Sequence, residues 1–199
     1  VTPYYDSDGN LTFRFNGCRN SLSGAVIVVD PGHGVKPSGF DYGAIGHITE
    51  QSVNLAISKL LEAKFTAEGA TVVRYHTESE YVDTYQRSDI ARQYNPDIYI
   101  AVHSNAVTGS STAKGVEAWY FTPFSQPLAA AVSSSVAGYY KNSVYGDGVN
   151  RNRGAKYDYF AVTTQQDFPS ILFEVGFVTT YDEAMAMNNP THQDGIANA

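Results

Sequence analysis

Cysteine is almost missing from this chain: Cys18 is the only one among 199 residues. A single cysteine cannot form an intrachain disulfide, and a zinc site built on thiolates needs several. Any metal site must therefore use histidine and carboxylate side chains. Charged residues are also sparse, at 17%, and the formal net charge is -7. Nucleic-acid binding proteins usually carry a basic patch, so the charge argues against a nucleic-acid partner.

Long apolar runs are lacking as well. No stretch of about 18 or more apolar residues occurs, and the N-terminus has no charged segment followed by an apolar one. We therefore expect neither membrane insertion nor a signal peptide in this sequence. Hydrophobic residues still make up 43% of the chain, which is enough for a sizeable core. We expect a single folded domain and a monomer.

Apolar residues predict alternating strands and helices from Ala25 onward. The predicted strands cover residues 25–30, 71–75, 97–103, 115–121 and 170–175, and the predicted helices cover 50–68, 85–94, 127–140 and 181–187. This alternation predicts an α/β fold, with three α/β/α layers around a mostly parallel sheet of about six strands. Residues 1–24 are rich in turn formers apart from one strand-like stretch at 11–15. We interpret them as an irregular lead-in or linker remnant, and residues 25–199 as the folded domain.

Four ionisable residues lie where predicted strands end. His33 follows the first strand, His103 ends the strand at 97–103, and Glu174 lies near the end of the last one. Glu50 begins the helix that a glycine-rich loop connects to the first strand. Because ligands of open α/β sheets bind outside the carboxyl ends of the strands, we expect all four at one edge.

Two histidines and one glutamate are a known ligand set for catalytic zinc, which keeps a further position for water. His33, Glu50 and His103 are therefore the candidate Zn²⁺ ligands. A carboxylate inside a buried strand is costly unless it is paired, protonated or near a metal, so Glu174 is the candidate catalytic base. Spacing by itself leaves simpler interpretations open. Glu50 could merely favour the helix dipole, and His103 could be a core histidine bonded to the backbone.

Six short motifs occur in a specific order along the chain. They are Asp30-Pro31-Gly32-His33-Gly34, Gly43-Ala44-Ile45-Gly46, Glu50 with Asn54-Leu55, His103-Ser104-Asn105-Ala106, Gly115-Val116-Glu117 and Glu174-Val175-Gly176-Phe177. From Ala25 to the C-terminus the chain thus resembles the zinc-dependent N-acetylmuramoyl-L-alanine amidases of the amidase-3 type.

The resemblance implies that His33, Glu50 and His103 hold Zn²⁺ and that Glu174 is the catalytic glutamate. It implies hydrolysis of the amide bond between N-acetylmuramic acid and L-alanine in bacterial peptidoglycan. Residues 25–199 would then be the amidase catalytic domain of a secreted enzyme that acts outside the cell or in the cell wall. The family usually ends in a longer final helix than this sequence offers, a difference that a truncated C-terminus would explain.

The expected partners are the glycan and the stem peptide of peptidoglycan. Stem peptides carry free carboxylates, which arginine binds bidentately, so Arg151 or Arg153 is a candidate for positioning them. An ordinary solvated loop at 150–156 is the other interpretation. Asn105 is a further candidate for substrate contact, and His47 could approach the metal because it lies three residues before Glu50.

Two alternatives remain open at this point. A zinc peptidase could use the same four residues to cut within the stem peptide. A wall-binding module without activity could instead keep zinc as a structural ion. Glu174 argues against this second alternative, because a structural zinc site is closed and needs no neighbouring base.

Overall fold

The computed structural model describes residues 2–14, 21–74, 80–109 and 112–199. Its strands, in chain order, are β1 Thr2–Tyr5, β2 Leu11–Arg14, β3 Val26–Pro31, β4 Gly34–Lys36, β5 Gly39–Asp41, β6 Thr71–Val73, β7 Ile98–Asn105, β8 Val116–Tyr120, β9 Asn152–Tyr157 and β10 Ser170–Phe177. Its α-helices are α1 Glu50–Ala67, α2 Arg87–Gln93, α3 Gln126–Tyr139, α4 Tyr181–Met187 and α5 Pro190–Asn198. A short 3-10 helix, Pro123–Ser125, precedes α3, and a π-helix, Tyr140–Tyr145, follows it.

Six of these strands form a central sheet in the order β6-β3-β7-β10-β8-β9. The strands β6, β3, β7 and β10 are parallel to one another, whereas β8 runs antiparallel to β10 and parallel to β9. The prediction of a mostly parallel six-stranded sheet flanked by helices is confirmed. Because β3, β7 and β10 are parallel, their carboxyl ends meet at one edge, as the sequence predicted.

Side chains from both faces of the sheet are buried, which explains the continuous apolar runs of the central strands. In β3, Ile27 and Val29 pack into a core cluster together with residues of α1, α3, α4 and α5. Val28 points to the opposite face and packs with Ala91 of α2 and with Phe168. Among the described residues, this second face carries the short helix α2 and the chain around residues 160–168, and a cleft lies beside them.

Several elements escaped prediction, among them the β4–β5 hairpin, β9 and α5. The basic stretch at 150–156 is mostly the edge strand β9, so the solvated-loop interpretation is wrong. The polar C-terminal residues form α5, where the side chain of Asn189 accepts a hydrogen bond from the backbone N–H of Thr191 and Pro190 occupies the first turn. The strands and helices that were predicted from residue 25 onward are present, with ends shifted by up to a few residues.

The first residues form a hairpin in which β1 and β2 pair antiparallel, in line with the strand-like pattern at 11–15. Position 15 itself, Cys18 and His76 lie outside the described residues. The boundary between a lead-in and a catalytic domain at residue 25 stays a prediction. None of the described helices is both long and apolar enough to cross a membrane.

Candidate functional site

Three side chains converge where β3 and β7 end and α1 begins. The Nε2 atom of His33 lies 3.1 Å from Oε1 of Glu50, and Nδ1 of His103 lies 2.9 Å from the same oxygen. One ligand atom from each residue falls within 4.8 Å of the other two. The structure therefore brings together the three residues that the sequence selected as metal ligands.

Glycines make room for this convergence. A Cβ atom on Gly32 would lie 2.3 Å from Cε1 of His103. A Cβ atom on Gly43, which has a φ of 65°, would lie 2.6 Å from both Oε2 of Glu50 and Cδ2 of His33. His33 itself has a φ of 67°, a left-handed conformation that is uncommon outside glycine and often found at functional sites.

Hydrogen bonds fix the orientation of the histidine and glutamate side chains. Asp41, at the end of β5, lies 2.9 Å from Nδ1 of His33 through its Oδ2 atom, which leaves Nε2 of the ring facing Glu50. The backbone N–H of Ala44 donates to Oε2 of Glu50 at 2.8 Å, and that of Ser104 donates to Oε1 at 3.2 Å. Carboxylate partners of this kind orient metal-binding histidines and raise their basicity.

Electrostatics keep Glu50 ionised despite its burial. Burial raises the pKa of Glu50, but hydrogen bonds from His103 and His33 outweigh it and hold the pKa far below its usual value. Burial likewise opposes the charge on His33, whereas Glu50 and then Asp41 raise the pKa of that imidazole. Two imidazole nitrogens and one ionised carboxylate match the donor set that catalytic zinc takes from proteins, so these residues fit the ion.

Glu174 lies beside this group on β10, directly opposite His103 of β7. Its Oε2 atom is buried and has no hydrogen-bond partner among the residues that the structure describes. Burial, followed by the nearby charges of Glu50 and Glu117, raises the pKa of Glu174 to about 8. A carboxyl group that titrates near neutral pH can both accept and return a proton, as general acid–base catalysis requires.

A row of polar side chains continues from Glu174 across the sheet. Glu117 of β8 is paired with Glu174 in register, and its Oε2 atom contacts Nε of Arg153 at 2.5 Å and Nζ of Lys156 at 2.6 Å. Asn105 donates to Oε1 of the same carboxylate at 2.8 Å. Of the predicted substrate contacts, Arg153 and Asn105 thus contact Glu117, the strand neighbour of Glu174.

Arg151 occupies a different environment. Both of its terminal nitrogens contact the carboxylate of Asp147, at 3.0 and 2.7 Å, and its guanidinium lies 4.1 Å from the ring centroid of Tyr145. These contacts tie Arg151 to the segment between the π-helix and β9. His47 packs edge-on against Tyr181, and His192 lies 2.9 Å from the hydroxyl of Tyr139.

One open space adjoins the metal-binding residues. It is a cleft of about 290 Å³ on the sheet face that carries α2, and its lining includes His33, His103, Tyr81, Phe160 and Leu172. A separate groove of about 560 Å³ lies between the 44–47 loop and residues 106–109. A substrate group that reaches His33 and His103 can therefore be accommodated in the first cleft.

Several supporting residues were not predicted from the sequence. Asp41 lies on a hairpin between the first two motifs and only its spacing of eight residues from His33 could have drawn attention to it. Asp30 is fully buried beneath the site, where it accepts hydrogen bonds from Arg87 at 2.6 Å and from the hydroxyl of Tyr99. Lys156 follows Arg153 by three residues, but its contact with Glu117 depends on strand pairing that a single sequence does not reveal.

Comparison with known proteins agrees with this geometry. A family model described as N-acetylmuramoyl-L-alanine amidase, Amidase_3, matches residues 27–199. The N-acetylmuramoyl-L-alanine amidase LytC of Bacillus subtilis is 31% identical over 185 residues, which cover 92% of this chain and 36% of LytC. The probable cell wall amidase LytH of Staphylococcus epidermidis is 27% identical over 90% of this chain and 57% of LytH. The chain thus spans about a third to somewhat over half of these two relatives.

Solved structures share the fold over nearly their whole length. An N-acetylmuramoyl-L-alanine amidase from Clostridium difficile 630 superposes with a TM-score of 0.76 and 31% identity, covering 89% of this chain and 92% of that one. AmiC2 of Nostoc punctiforme, also an N-acetylmuramoyl-L-alanine amidase, gives a TM-score of 0.74 and 27% identity, with 88% and 93% covered. With its fold, its motifs and the family match over residues 27–199 in agreement, this chain belongs to the Amidase_3 family of N-acetylmuramoyl-L-alanine amidases.

Proposed function

We propose that this chain hydrolyses the amide bond between N-acetylmuramic acid and the L-alanine of the stem peptide in peptidoglycan. The observation that carries the proposal is the convergence of His33, Glu50 and His103 beside the buried, unpaired carboxyl oxygen of Glu174. The bond itself is the one for which the family and its relatives are named. The relatives that are cell wall amidases support action in the cell wall or outside the cell.

His33, Glu50 and His103 would hold Zn²⁺, each supplying one ligand atom. When bound, Zn²⁺ supplies a Lewis acid that lowers the pKa of water and polarises a carbonyl oxygen. Asp41 keeps the ring of His33 turned toward Glu50, and the backbone N–H groups of Ala44 and Ser104 hold the carboxylate of Glu50 in place. These contacts preorganise the ligands before substrate arrives.

Glu174 would carry the proton through the reaction. Its carboxylate takes a proton from the attacking water as the water oxygen bonds to the lactyl carbonyl carbon. The same carboxyl then gives that proton to the amide nitrogen as the C–N bond breaks. The products are the lactyl carboxylate and a stem peptide with a free L-alanine amine. Burial raises the pKa of Glu174 above that of an ordinary carboxyl group, which makes its carboxylate a stronger base toward the attacking water.

Replacement of Glu174 by glutamine, in which an amide NH₂ group takes the place of one carboxyl oxygen, tests this assignment. Glu174→Gln removes the proton carrier while it preserves shape, so we expect at least a 100-fold fall in kcat for peptidoglycan with zinc content unchanged, in line with the contribution of general acid–base catalysis, about 10²–10⁴-fold. Glu62→Gln serves as the control, because Glu62 is a surface residue paired with Arg74. Unchanged kcat in Glu174→Gln would contradict the proposed role of Glu174.

A chelator experiment tests the metal. We expect removal of zinc to abolish turnover and its return to restore it, whereas a wall-binding module with a structural ion would show no turnover in either state. A chelator-resistant activity would contradict the zinc assignment. That the enzyme acts as a monomer stays a prediction.

A further inference from the structure

The row of side chains beyond Glu174 ends in two cations at the edge of the sheet. Glu174 is paired with Glu117 on β8, and Glu117 is paired in turn with Gly154 on β9. Neighbouring strands lie about 4.7–4.9 Å apart, so β9 is about 10 Å from Glu174 across the sheet. Arg153 and Lys156 of β9 reach back toward Glu117, which places their charged groups between β9 and Glu174.

These two cations share one carboxylate. Nε of Arg153 and Nζ of Lys156 both contact Oε2 of Glu117, and Asn105 occupies Oε1. The side chain of Glu117 is 3% exposed, whereas those of Arg153 and Lys156 are 38% and 31% exposed. Two cations against one carboxylate leave one net positive charge, and that charge faces solvent beside the catalytic glutamate.

Donors remain available on both cations. Within the described part of the chain, Arg153 uses Nε for its hydrogen bond, so its two terminal nitrogens can still donate. Its guanidinium lies 5.0 Å from the ring centroid of Phe177, and the ammonium of Lys156 lies 5.0 Å from that of Trp119. These rings favour the cations at their present positions without consuming their hydrogen-bonding capacity.

The negative charges at the reaction centre make Arg153 and Lys156 the expected binding site for an acidic group of the substrate. Glu50, Asp41 and Glu174 put carboxyl groups at the reaction centre, and the chain as a whole carries a net charge of -7. An extended peptide advances about 3.3–3.6 Å per residue. A carboxylate on the second residue of the stem, counted from the scissile amide, would thus lie about 7 Å away, within the reach of Arg153 and Lys156.

We propose that Arg153 and Lys156 form a subsite for a free carboxylate on the residue that follows L-alanine in the stem peptide. The enzyme then discriminates against stems in which that carboxylate is amidated, because an amide loses the charge-assisted hydrogen bonds. This inference rests on the proposed function, since it assumes that the scissile amide lies beside Glu174. It singles out Lys156 with Arg153 and leaves Arg151 outside the subsite.

Two substrates that differ in one group test the proposal. We would compare zinc-loaded enzyme on N-acetylmuramoyl-L-alanyl-D-isoglutamate and on the matching isoglutamine compound. We expect kcat/KM for the free acid to be higher by about tenfold or more, as one lost charge-assisted hydrogen bond implies. The difference should lie mainly in KM, because the cations contact the substrate away from the reacting atoms.

Variants then locate the effect. Arg153→Gln and Lys156→Gln each leave one cation on Glu117, so both should fold, and each should reduce the ratio of kcat/KM for the free acid to kcat/KM for the amide. Arg151→Gln is the control and should keep the full preference, because Arg151 is bound to Asp147. Equal cleavage of both substrates by the wild type, or a preference that survives in both β9 variants, would overturn the subsite.

Binding to an inactive variant separates this proposal from the proposed function. Calorimetry with Glu174→Gln measures Kd for both compounds without turnover. Tighter binding of the free acid supports the subsite even if neither compound is cleaved, and equal Kd values overturn it. Failure of the wild type to cleave the lactyl amide in any substrate would instead overturn the proposed function.

Discussion

At the scale of a single residue, the absence of a side chain at Gly32 leaves the space that the imidazole of His103 occupies beside His33 and Glu50. The Cα atom of Gly32 faces the imidazole so closely that any Cβ would lie 2.3 Å from a ring atom. We expect Gly32→Ala to displace the imidazole and to weaken zinc binding at least tenfold while the fold persists. Competition with a chromophoric chelator measures the affinity, and circular dichroism checks the fold.

Gly138→Ala is the matched control for this experiment. Gly138 lies in α3, and nothing within 4 Å would meet a Cβ at that position. Alanine is favoured over glycine in a helix by about 1 kcal/mol, so this variant should bind zinc normally and unfold at a slightly higher temperature. Zinc affinity of Gly32→Ala equal to that of Gly138→Ala would refute the steric role of Gly32.

Glu117 gives the stability of the protein a pH dependence. Burial opposes the charge on Glu117, but Lys156 and Arg153 outweigh it and lower the pKa below the ordinary value of 4.5. An acid whose pKa is lower in the folded state stabilises the fold above its unfolded pKa, and this contribution is lost as the pH falls through the folded pKa. The contribution is therefore present at pH 7 and declines below pH 4.5.

We expect Glu117→Gln to lower the free energy of unfolding at pH 7, by about 1–3 kcal/mol, because two cations lose their charged partner. The difference between wild type and variant should shrink as the pH is lowered below 4.5. Urea unfolding at a series of pH values measures it, with Glu62→Gln as the control. A difference that stays constant down to pH 3 would show that the ionised form of Glu117 contributes nothing.

Residue types at strand ends indicated His33, Glu50, His103 and Glu174 as candidates, and the ordered motifs were needed to favour the first three as metal ligands. A histidine between glycines and a glutamate inside an apolar strand are unusual, and so they stand out. Asp41 and Glu117 did not stand out, because an aspartate on a loop and a glutamate in a strand become informative only when their neighbours in space are known. For Glu117, the pairing register of β10, β8 and β9 identifies those neighbours.

At the scale of secondary-structure elements, the buried carboxylate of Glu183 connects α4 to the sheet. Oε2 of Glu183 accepts from the backbone N–H of Phe177, at the end of β10, and Oε1 accepts from that of Gly115, just before β8, and from the hydroxyl of Tyr145. Burial raises the pKa of Glu183, although these three donors oppose it. This carboxylate thus joins α4, β8, β10 and the π-helix.

We expect Glu183→Gln to destabilise the fold by about 1–3 kcal/mol, since an amide nitrogen cannot accept a hydrogen bond and would leave one buried donor unpaired. Thermal or urea unfolding measures the loss. The neighbouring Asp182→Asn breaks only a contact with Lys114 near the surface, and it should cost about 0–1 kcal/mol. Equal stabilities of the two variants would rule out a special role for Glu183.

Buried strands and the longer helices were predictable because their apolar residues follow a clear period. The strand β9 was not, since it lies at the sheet edge and its sequence Asn152–Tyr157 is mostly polar. Likewise α5 has few apolar residues, and its start depends on the cap formed by Asn189 and Pro190. Elements held by tertiary contacts rather than by their own hydrophobic pattern are those that a single sequence fails to indicate.

At the scale of the whole molecule, the central sheet places the proposed reaction centre and the proposed carboxylate subsite along one row of neighbouring strands. The candidate metal-binding residues His33 and His103 lie at the ends of β3 and β7, the proposed proton carrier Glu174 lies on β10, and the cations of the proposed carboxylate subsite lie on β9. Because these strands are neighbours in a rigid sheet, the distance between the reaction centre and the subsite is fixed. The fold class and the mostly parallel sheet were predictable from the sequence, whereas the strand order that produces this arrangement was not.

Mass spectrometry of peptidoglycan digested by the zinc-loaded protein tests the central claim most directly. We predict release of intact stem peptides that begin with a free L-alanine amine, together with glycan strands that keep the lactyl carboxylate of N-acetylmuramic acid. Shortened stems still attached to muramic acid would instead identify a peptidase that cuts within the stem peptide. Such products, or no release at all from zinc-loaded protein, would contradict cleavage of the N-acetylmuramoyl-L-alanine bond.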